Sequence, residues 1–403
     1  MKKAFCLLIA SQVALSLSFT VNVYTASAAS PTDISNHWAK DSIRAAVEKG
    51  YVRGYPDGTF RPDAQVTRAE FLAIVTRASK LEAASAYEPF DDVAPTHRAV
   101  DALNKGIGMG FINPAEYGAT FKPDQALTRA EMVKWLVSGL AKSDPSFVAA
   151  LKDTRETILP FTEYFPGKFK EADIPYIAVA RGTGLVGGFP DGSFGPDRTT
   201  TRAEVVVLLG RYLAVEGKKA DGYQALNELR EVGTTGTNVM TIGNAIGKFS
   251  WTKDREGKVA PVYEIFNKDL FLSRDIGIVQ LNRLIALDPA MTSVYADMFA
   301  DAEMQESAKK YNNLYYISEM TTTFTRDVNT STFQEANSFA GGTVRHNLPD
   351  VYGYTALDAH STNPMLKKGV TTRFWSTRFV PVGDYVTTNT TNWESGGFKI
   401  NKE

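Results

Sequence analysis

Apolar residues recur at helical spacing in three similar stretches of the first half of the chain. In the first stretch, Phe71, Leu72 and Val75 fall on one face of a helix. Runs of the same kind follow Glu131 and Glu204. The pattern therefore predicts three amphipathic helices, each with one buried face.

A tetrapeptide, Thr-Arg-Ala-Glu, opens each of these helices. It begins at Thr67, Thr128 and Thr201, and a Phe-x-Pro-Asp segment begins seven residues before each Thr. The recurrence of both segments at matched spacing indicates an internal repeat of helix-loop-helix units. We number these units repeats 1, 2 and 3 in chain order.

A shorter helix is predicted before each tetrapeptide. In repeat 1 its apolar face comprises Trp38, Ile43 and Ala46, and Gly50 follows as the residue of positive φ that ends a helix. In repeat 2, Gly106 is predicted to end the first helix, as Gly50 does in repeat 1. The loop from this glycine to the Phe of the Phe-x-Pro-Asp segment is then about five residues longer in repeat 2 than in repeat 1.

The loops between the helices carry turn signals. Pro-Asp-Gly at 56–58 fits a type I turn, and Phe60 is expected to pack that loop onto the helices. Repeat 2 lacks this turn. An insertion rich in Pro precedes repeat 3, whose opening acidic residue is either Asp153 or Asp173.

Capping explains two of the four motif residues. Thr and Glu form a capping box, which contributes on the order of 1 kcal/mol. Capping leaves the arginine unexplained, because a cation in the first turn opposes the helix dipole. Beside free helix N-terminal amides, Arg68, Arg129 and Arg202 would form anion sites suited to a carboxylate. The alternative is an ion pair with a neighbouring acid, namely Asp63, Asp124 or Asp197.

This set of motifs resembles the S-layer homology (SLH) repeat. The residues that carry the resemblance are Trp38, Gly50, Gly54, Pro56-Asp57-Gly58-Thr59-Phe60, Pro62 and Thr67-Arg68-Ala69-Glu70. Three such repeats after a signal peptide resemble the wall-anchoring module of Gram-positive surface proteins. The resemblance implies an all-α pseudo-threefold module whose grooves, between neighbouring repeats, bind pyruvylated secondary cell-wall polysaccharide.

The resemblance also implies which residues bind. The motif arginines would meet the pyruvyl carboxylate, Trp38 would either contact the sugar or pack in the core, and the glycines would admit backbone amides. The carbohydrate-binding residues implied are Arg68, Arg129, Arg202, Asp33, Trp38, Gly54, Asp92 and Gly188. Repeats 2 and 3 depart from the pattern, so at most two grooves are expected to bind well. Arg68 has the most complete setting.

The N-terminus and the composition indicate an exported protein. Lys2 and Lys3 precede an apolar segment that ends in an Ala-x-Ala cleavage site, which predicts a signal peptide. The single cysteine, Cys6, lies in that segment, so the mature chain has no disulfide and no thiolate metal site. Without the two lysines, the 44 basic residues become 42, against 45 acidic ones. This balance gives no reason to expect nucleic acid, and no membrane partner is expected after cleavage.

The domain boundaries expected from these segments follow the motifs. They are a signal peptide (1–28), repeat 1 (29–88), repeat 2 (89–142), an insertion with repeat 3 (143–215), a linker or short helix (216–232) and a C-terminal domain (233–403). The C-terminal domain is predicted to be α+β or mainly β. Strands are predicted at 259–266, 271–281, 321–333, 343–354, 370–380 and 385–391, with helix in places over 288–316.

Candidate chemistry in the second half is sparse. His346 and His360 have nearby aspartates, but their separation does not suggest a metal site. No cofactor is expected. A glycosidase needs two well-placed acids, for which the candidates are Glu264, Asp269, Asp275 and Glu335.

The favoured hypothesis is a non-enzymatic surface protein in the cell wall or S-layer. It would bind secondary cell-wall polysaccharide and display a structural or adhesive domain, with self-association in a surface layer left open. The main alternative is a wall-anchored hydrolase of glycans or peptides. A third, an outer-membrane protein with a β-barrel, is disfavoured by the three repeats and the short second half.

Overall fold

A computed structural model describes most of the chain after the predicted signal peptide. The described residues are 31–85, 90–246, 249–252, 262–337, 348–357, 366–382, 385–386 and 397–400. The predicted signal peptide, His346 and His360 lie outside them.

The first half is helical, with a short first helix and a longer second helix in each repeat. The helices are α1 (Lys40–Glu48) and α2 (Arg68–Ala78) in repeat 1, α3 (Val100–Gly108) and α4 (Arg129–Ser143) in repeat 2, α5 (Ser146–Asp153) in the insertion, α6 (Ile174–Gly182) and α7 (Arg202–Val215) in repeat 3, and then α8 (Gln224–Thr235) and α9 (Val239–Ile246). Each second helix begins at the motif arginine, as the repeat pattern predicts.

The three repeats close into a ring through the residues that precede the second helices. The Val66 amide donates to the Thr200 carbonyl (3.1 Å), the Thr200 amide to the Leu127 carbonyl (3.0 Å), and the Leu127 amide to the Val66 carbonyl (2.9 Å). Each repeat therefore bonds to both of the others, and the three contacts are equivalent.

The loop of repeat 1 folds as its turn residues predict. The Gly58 amide donates to the Tyr55 carbonyl at 3.0 Å, which closes the turn, and Gly58 has a φ of 82°. Phe60 and its counterparts Phe121 and Phe194 are fully buried against the helices. Burial of these rings fixes each loop beside its own second helix.

The predicted position of Trp38 is wrong. This residue precedes α1 and is 67% exposed, so it does not share the buried face of Ile43 and Ala46. Its ring lies 5.5 Å from that of His37. Core packing, one of the two roles considered for Trp38, is thereby excluded.

The matching of Gly106 to Gly50 is also wrong. Gly106 lies inside α3, where an added Cβ would come within 2.9 Å of the Leu72 side chain. The residue with positive φ at this position of repeat 2 is Gly110, at 78°, against 71° for Gly50. The loop of repeat 2 is therefore only one residue longer than that of repeat 1.

The second half contains an antiparallel sheet flanked by helices, so of the two predicted classes, α+β and mainly β, the described residues fit α+β. Its strands are β1 (Phe249–Thr252), β2 (Leu270–Phe271), β3 (Gly277–Leu287), β4 (Asn313–Phe324), β5 (Thr371–Pro381), β6 (Tyr385–Val386) and β7 (Gly397–Ile400). Its helices are α10 (Ala296–Phe299), α11 (Ala302–Tyr311), α12 (Thr330–Ala336) and α13 (Leu348–Tyr352). The main sheet has the order β2-β3-β4-β5, and β1, β7 and β6 form a second, smaller antiparallel sheet.

Several of the predicted strands are wrong in detail. β5 confirms the strand predicted at 370–380, but α12 and α13 occupy parts of two other predicted strands. A 3-10 helix replaces strand at Val262–Ile265, and β4 begins inside the segment predicted to be partly helical. Asn329 explains α12, because its side chain accepts the Thr332 amide and so caps the helix.

One hydrophobic cluster spans the two halves, and a second cluster lies wholly within residues 239–374. The cluster that fills the first half continues into Tyr295, Phe299 and Trp375 of the second. The insertion provides part of the contact, since the Phe165 ring lies 6.1 Å from the Trp375 ring and the Tyr295 hydroxyl donates to the Ile158 carbonyl (3.2 Å). Helix α8, in the segment predicted as a linker or short helix, packs between the halves. Among the described residues, no helix is both long enough and apolar enough to cross a bilayer.

Candidate functional site at the junctions between repeats

An acidic side chain holds the loop of each repeat. Asp33 accepts the amides of Phe60 (2.8 Å) and Arg61 (2.7 Å). Asp92 accepts the equivalent amides in repeat 2, at 2.8 and 2.6 Å. Burial opposes ionisation of Asp33, but the hydrogen bonds from the two amides outweigh this effect, and the pKa of Asp33 is lowered. Both oxygens of each carboxylate are therefore already engaged by the protein.

The opening acidic residue of repeat 3 is Glu163, so neither Asp153 nor Asp173 has that role. The Glu163 carboxylate accepts the amides of Phe194 (3.0 Å) and Gly195 (2.8 Å), as the aspartates do in the other repeats. Sequence reasoning missed this residue because Glu replaces Asp. The preceding Phe-Thr at 161–162 resembles the Phe-Asp before Asp92 and could have indicated it.

The first amides of each second helix are not free, which corrects one premise of the predicted anion site. The amides of Arg68 and Ala69 donate to the carbonyls of Gln125 and Pro123 in repeat 2, both at 3.0 Å. Equivalent bonds link α4 to repeat 3 and α7 to repeat 1. In each second helix, the Thr hydroxyl accepts a hydrogen bond from the following amide, which is that of the motif Glu. Anion binding at these ends therefore has to rely on the arginine side chains.

Each motif arginine reaches the loop of the next repeat in the ring. Arg68 donates to the Phe121 carbonyl (2.5 Å), and Arg202 donates to the equivalent Phe60 carbonyl (2.8 Å). Arg129 donates to the Gly187 carbonyl at 3.1 Å. The site residues predicted from one repeat thus combine with the loop of another, so each site is a junction.

The junction between repeats 1 and 2 contains a two-point ion pair. Arg68 Nη2 lies 2.7 Å from one oxygen of Glu131, and Arg68 Nε lies 3.1 Å from the other. This acid is the motif glutamate of repeat 2, and not Asp63, Asp124 or Asp197. Glu131 consequently leaves its own capping box incomplete, whereas Glu70 and Glu204 complete theirs.

The junction between repeats 3 and 1 places its arginine against backbone carbonyls and an aromatic ring. Besides Phe60, Arg202 donates to the Arg53 carbonyl (2.9 Å), and its guanidinium lies 5.1 Å from the Tyr55 ring centre. Among the described residues, no acid lies within ion-pair distance of Arg202. This is the junction at which the intact Pro-Asp-Gly loop of repeat 1 faces an arginine.

The junction between repeats 2 and 3 buries its arginine. Arg129 is 8% exposed and lies 4.8 and 5.1 Å from the ring centres of Phe189 and Phe194. Burial lowers the pKa of Arg129 from its usual value, although the guanidinium stays charged at neutral pH. Its Nε has no hydrogen-bond partner among the described residues.

The two glycines proposed as sugar contacts also have an internal role. A Cβ on Gly54 would lie 2.9 Å from the Thr59 carbonyl oxygen, and one on Gly188 would lie 3.3 Å from that of Ser193. These glycines let each loop close on itself. Their proposed contact with a sugar stays a prediction.

A cleft of about 580 Å³ lies where repeats 2 and 3 meet, and Arg68 of repeat 1 also lines it. Four lysines line it, two of them from the segment before α6, and the acids beside them largely balance their charge. The lysines are Lys122, Lys134, Lys168 and Lys170, and the acids are Glu116, Glu131, Asp173 and Asp197. Sequence reasoning did not single out any of these lysines, because none of them lies in the Thr-Arg-Ala-Glu tetrapeptide.

The candidate carboxylates of the second half have partners of their own. Glu335 forms an ion pair with Arg274 at 2.8 Å, and Asp269 accepts the Gln280 amide at 2.7 Å. Glu264 and Asp275 are exposed. None of these contacts assigns a catalytic role.

The sequence-family model of the S-layer homology domain matches residues 32–72, 89–133 and 170–206 of this chain. The chain contains three tandem S-layer homology domains. The matches coincide with the helix-loop-helix units of the ring, and the family resemblance inferred from the motifs is confirmed. The chain is accordingly a secreted protein of the cell surface.

Curated relatives match over part of this chain. One is Cell surface glycoprotein 1 of Acetivibrio thermocellus, 33% identical over 41% of this chain and 7% of that protein. Another is the Cellulosome-anchoring protein of the same organism, 40% identical over 19% of this chain and 17% of that protein. A third is Amylopullulanase of Thermoanaerobacterium thermosulfurigenes, 26% identical over 46% and 10%. The aligned segments span less than a fifth of each relative.

Proposed function

We propose that the three S-layer homology domains hold this protein non-covalently in the cell wall by binding an acidic secondary cell-wall polysaccharide. The recognised group would be a carboxylate on a sugar, as in a pyruvylated amino sugar. A guanidinium suits a carboxylate because its planar N–H groups can donate two parallel hydrogen bonds.

The observation that carries the proposal is the placement of a motif arginine at each junction of the ring. Arg202 is the best placed of the three, since it has no carboxylate partner among the described residues and lies beside Tyr55. Arg68 is already paired with Glu131, and Arg129 is buried. We therefore rank the junction between repeats 3 and 1 first, ahead of the two others.

We further propose that residues 233–403 form a displayed, non-enzymatic domain with a structural or adhesive role. The shared core supports this part of the proposal, because it fixes the second half against the anchoring ring. Self-association of such rigid units in a surface layer is compatible with this arrangement. A hydrolytic second half is the competing hypothesis, and the names of relatives such as Amylopullulanase are its main support.

Sedimentation with purified cell-wall sacculi tests the anchoring. The mature chain should sediment with intact sacculi and stay in solution when the polysaccharide has been removed chemically. Equal binding to stripped peptidoglycan would show that the polysaccharide is not the ligand.

A further inference from the structure

The end of helix α8 and one face of the main sheet enclose a cleft of about 420 Å³, remote from the motif arginines in sequence. Its volume lies within the range of small-ligand sites. Both halves contribute to its walls, since Gly233 to Gly236 come from α8 and its cap, and Asn282, Arg283 and Arg373 come from the sheet. The proposed anchoring does not use this cleft.

Two arginines give the cleft a built cationic wall. Arg283 on β3 and Arg373 on β5 flank Glu319 on β4, whose side chain is only 7% exposed. Arg373 donates to both oxygens of Glu319 at 2.9 Å, and Arg283 donates through Nη1 at 3.3 Å. This set of three carries a net positive charge. Nε and Nη2 of Arg283 and Nη1 of Arg373 have no acceptor among the described residues.

The opposite side of the cleft provides hydrogen-bond acceptors. Helix α8 ends here, where the Gly236 amide donates to the Val232 carbonyl (2.9 Å) as the last bond of the helix. The carbonyls of Gly233 and Thr234 accept no hydrogen bond from the described residues. Glu156 is the one acidic side chain among the described residues that line the cleft. A ligand that fills the cleft would therefore gain from carrying hydroxyl donors as well as an anion.

Aromatic and amide side chains complete the wall. Tyr263 is 42% exposed, and it lines the cleft together with Phe266, Asn267 and Asn282. Aromatic faces pack on the C–H faces of sugar rings. The Asn282 amide donates to Asn267 Oδ1 (2.8 Å) and its oxygen accepts the Thr321 hydroxyl (2.8 Å), so these contacts fix the polar part of the wall. The combination differs from that of a site for a bare inorganic anion, which would need neither acceptors nor aromatic surface.

We propose that this cleft binds a carboxylate-bearing sugar of the hexuronic acid class. The unused guanidinium N–H groups of Arg283 and Arg373 would receive the carboxylate. The terminal carbonyls of α8 would accept hydroxyl protons, and Tyr263 would pack on the ring. The site is separate from the junctions between repeats and does not depend on the anchoring proposed above.

Saturation-transfer difference NMR on the full mature chain tests this site, with glucuronic acid as the probe and glucose as its uncharged counterpart. Glucuronic acid should give a signal at least fivefold stronger than glucose. Arg283→Gln should reduce that signal at least fivefold, while Glu319 keeps its bidentate partner Arg373. The matched control is Arg326→Gln, an exposed arginine of the same half, which should leave the signal unchanged.

Two further variants keep the test decisive. Tyr263→Ala leaves the Arg-Glu-Arg set intact and should also weaken the signal, and Arg202→Gln should have no effect. Equal signals from glucose and glucuronic acid would overturn the proposal, as would full binding by Arg283→Gln with an unchanged melting temperature. Loss of signal in Arg202→Gln alone would place the sugar at a junction between repeats and so reject this cleft.

Discussion

The same motif residue has different roles in different repeats. The carboxylates of Glu70 and Glu204 accept the backbone amide of the Thr in their own motif and complete capping boxes. Glu131 instead forms an ion pair with Arg68 across the junction. Both members of that pair are nearly buried, with side chains 12% and 14% exposed. A buried charge that loses its partner is costly, so the identity of the neighbour decides how much a motif residue matters.

Substitution of the two glutamates should separate these roles. Glu131→Gln leaves the Arg68 charge without a counterion and should lower the free energy of unfolding by about 3 kcal/mol. Glu70→Gln keeps a residue that can still serve in a capping box and should cost no more than about 0.5 kcal/mol. Chemical denaturation of both variants measures the difference, and equal losses would contradict the cross-junction role of Glu131.

How far each feature could be predicted depends on how local its signal is. Capping, the Pro-Asp-Gly turn and the burial of Phe60 follow from neighbouring residues, and the structure confirms them. The acceptors of Arg202 were not predictable in this way, because the Phe60 and Arg53 carbonyls lie 142 and 149 residues away in the chain. The expectation that Arg68 has the most complete setting assumed that each arginine uses the loop of its own repeat.

At the scale of elements, helix α8 connects the ring of repeats to the second half through a buried carboxylate. Glu228 on α8 accepts hydrogen bonds from the Ser293 hydroxyl (2.8 Å), the Val294 amide (3.2 Å) and the Asn238 side chain (3.3 Å). Its other oxygen has no partner among the described residues. Burial raises the pKa of Glu228 to about 7, from an ordinary value of 4.5, despite these hydrogen bonds.

This raised pKa predicts that the protein is more stable in mild acid than at alkaline pH. The folded chain holds the Glu228 proton more tightly than the unfolded chain does, so the stability gained by protonation grows as pH falls from about 7 towards 4.5. The full penalty of the charged form, on the order of 3 kcal/mol, applies above pH 7. Glu228→Gln should therefore raise the melting temperature at pH 8 and flatten its change between pH 5 and pH 8.

Calorimetry of the wild type and the variant at both pH values makes this measurement. The exposed Glu306→Gln serves as the matched control, since it removes a carboxylate of the same length from the surface of α11. A pH dependence that is the same in wild type and Glu228→Gln would show that this carboxyl group does not titrate in the range.

The secondary structure of the second half was the least predictable part of the chain. Alternation identified β5, but β4 and the second half of β3 are buried on both faces and so lack a clear period of two. The capping residue Asn329 was a usable signal for α12 that apolar spacing alone obscured. The hydrophobic cluster that spans the halves has no local sequence signal, because its contacts join the insertion to residues more than a hundred positions away.

At the scale of the whole molecule, the insertion and α8 join the ring to the sheet, and under the proposed function this unit would connect the wall to the surface. The ring uses backbone bonds to close and delivers one arginine to each junction. The insertion and α8 then fix the second half against the ring through buried aromatic contacts. An anchor of this design would hold its displayed domain in one orientation relative to the wall.

Binding of the mature chain to intact sacculi, measured as the fraction bound against protein concentration, tests the central claim most directly. The comparison is between wild type, Arg202→Ala and the exposed control Arg326→Ala, with melting temperatures recorded for all three. We expect Arg202→Ala to bind at least tenfold more weakly, a loss of about 1.4 kcal/mol or more, because the unpaired guanidinium of the best-placed junction is gone. The control should bind as the wild type does. If a folded Arg202→Ala protein binds as tightly as the wild type, the motif arginine at this junction is structural and the account is wrong.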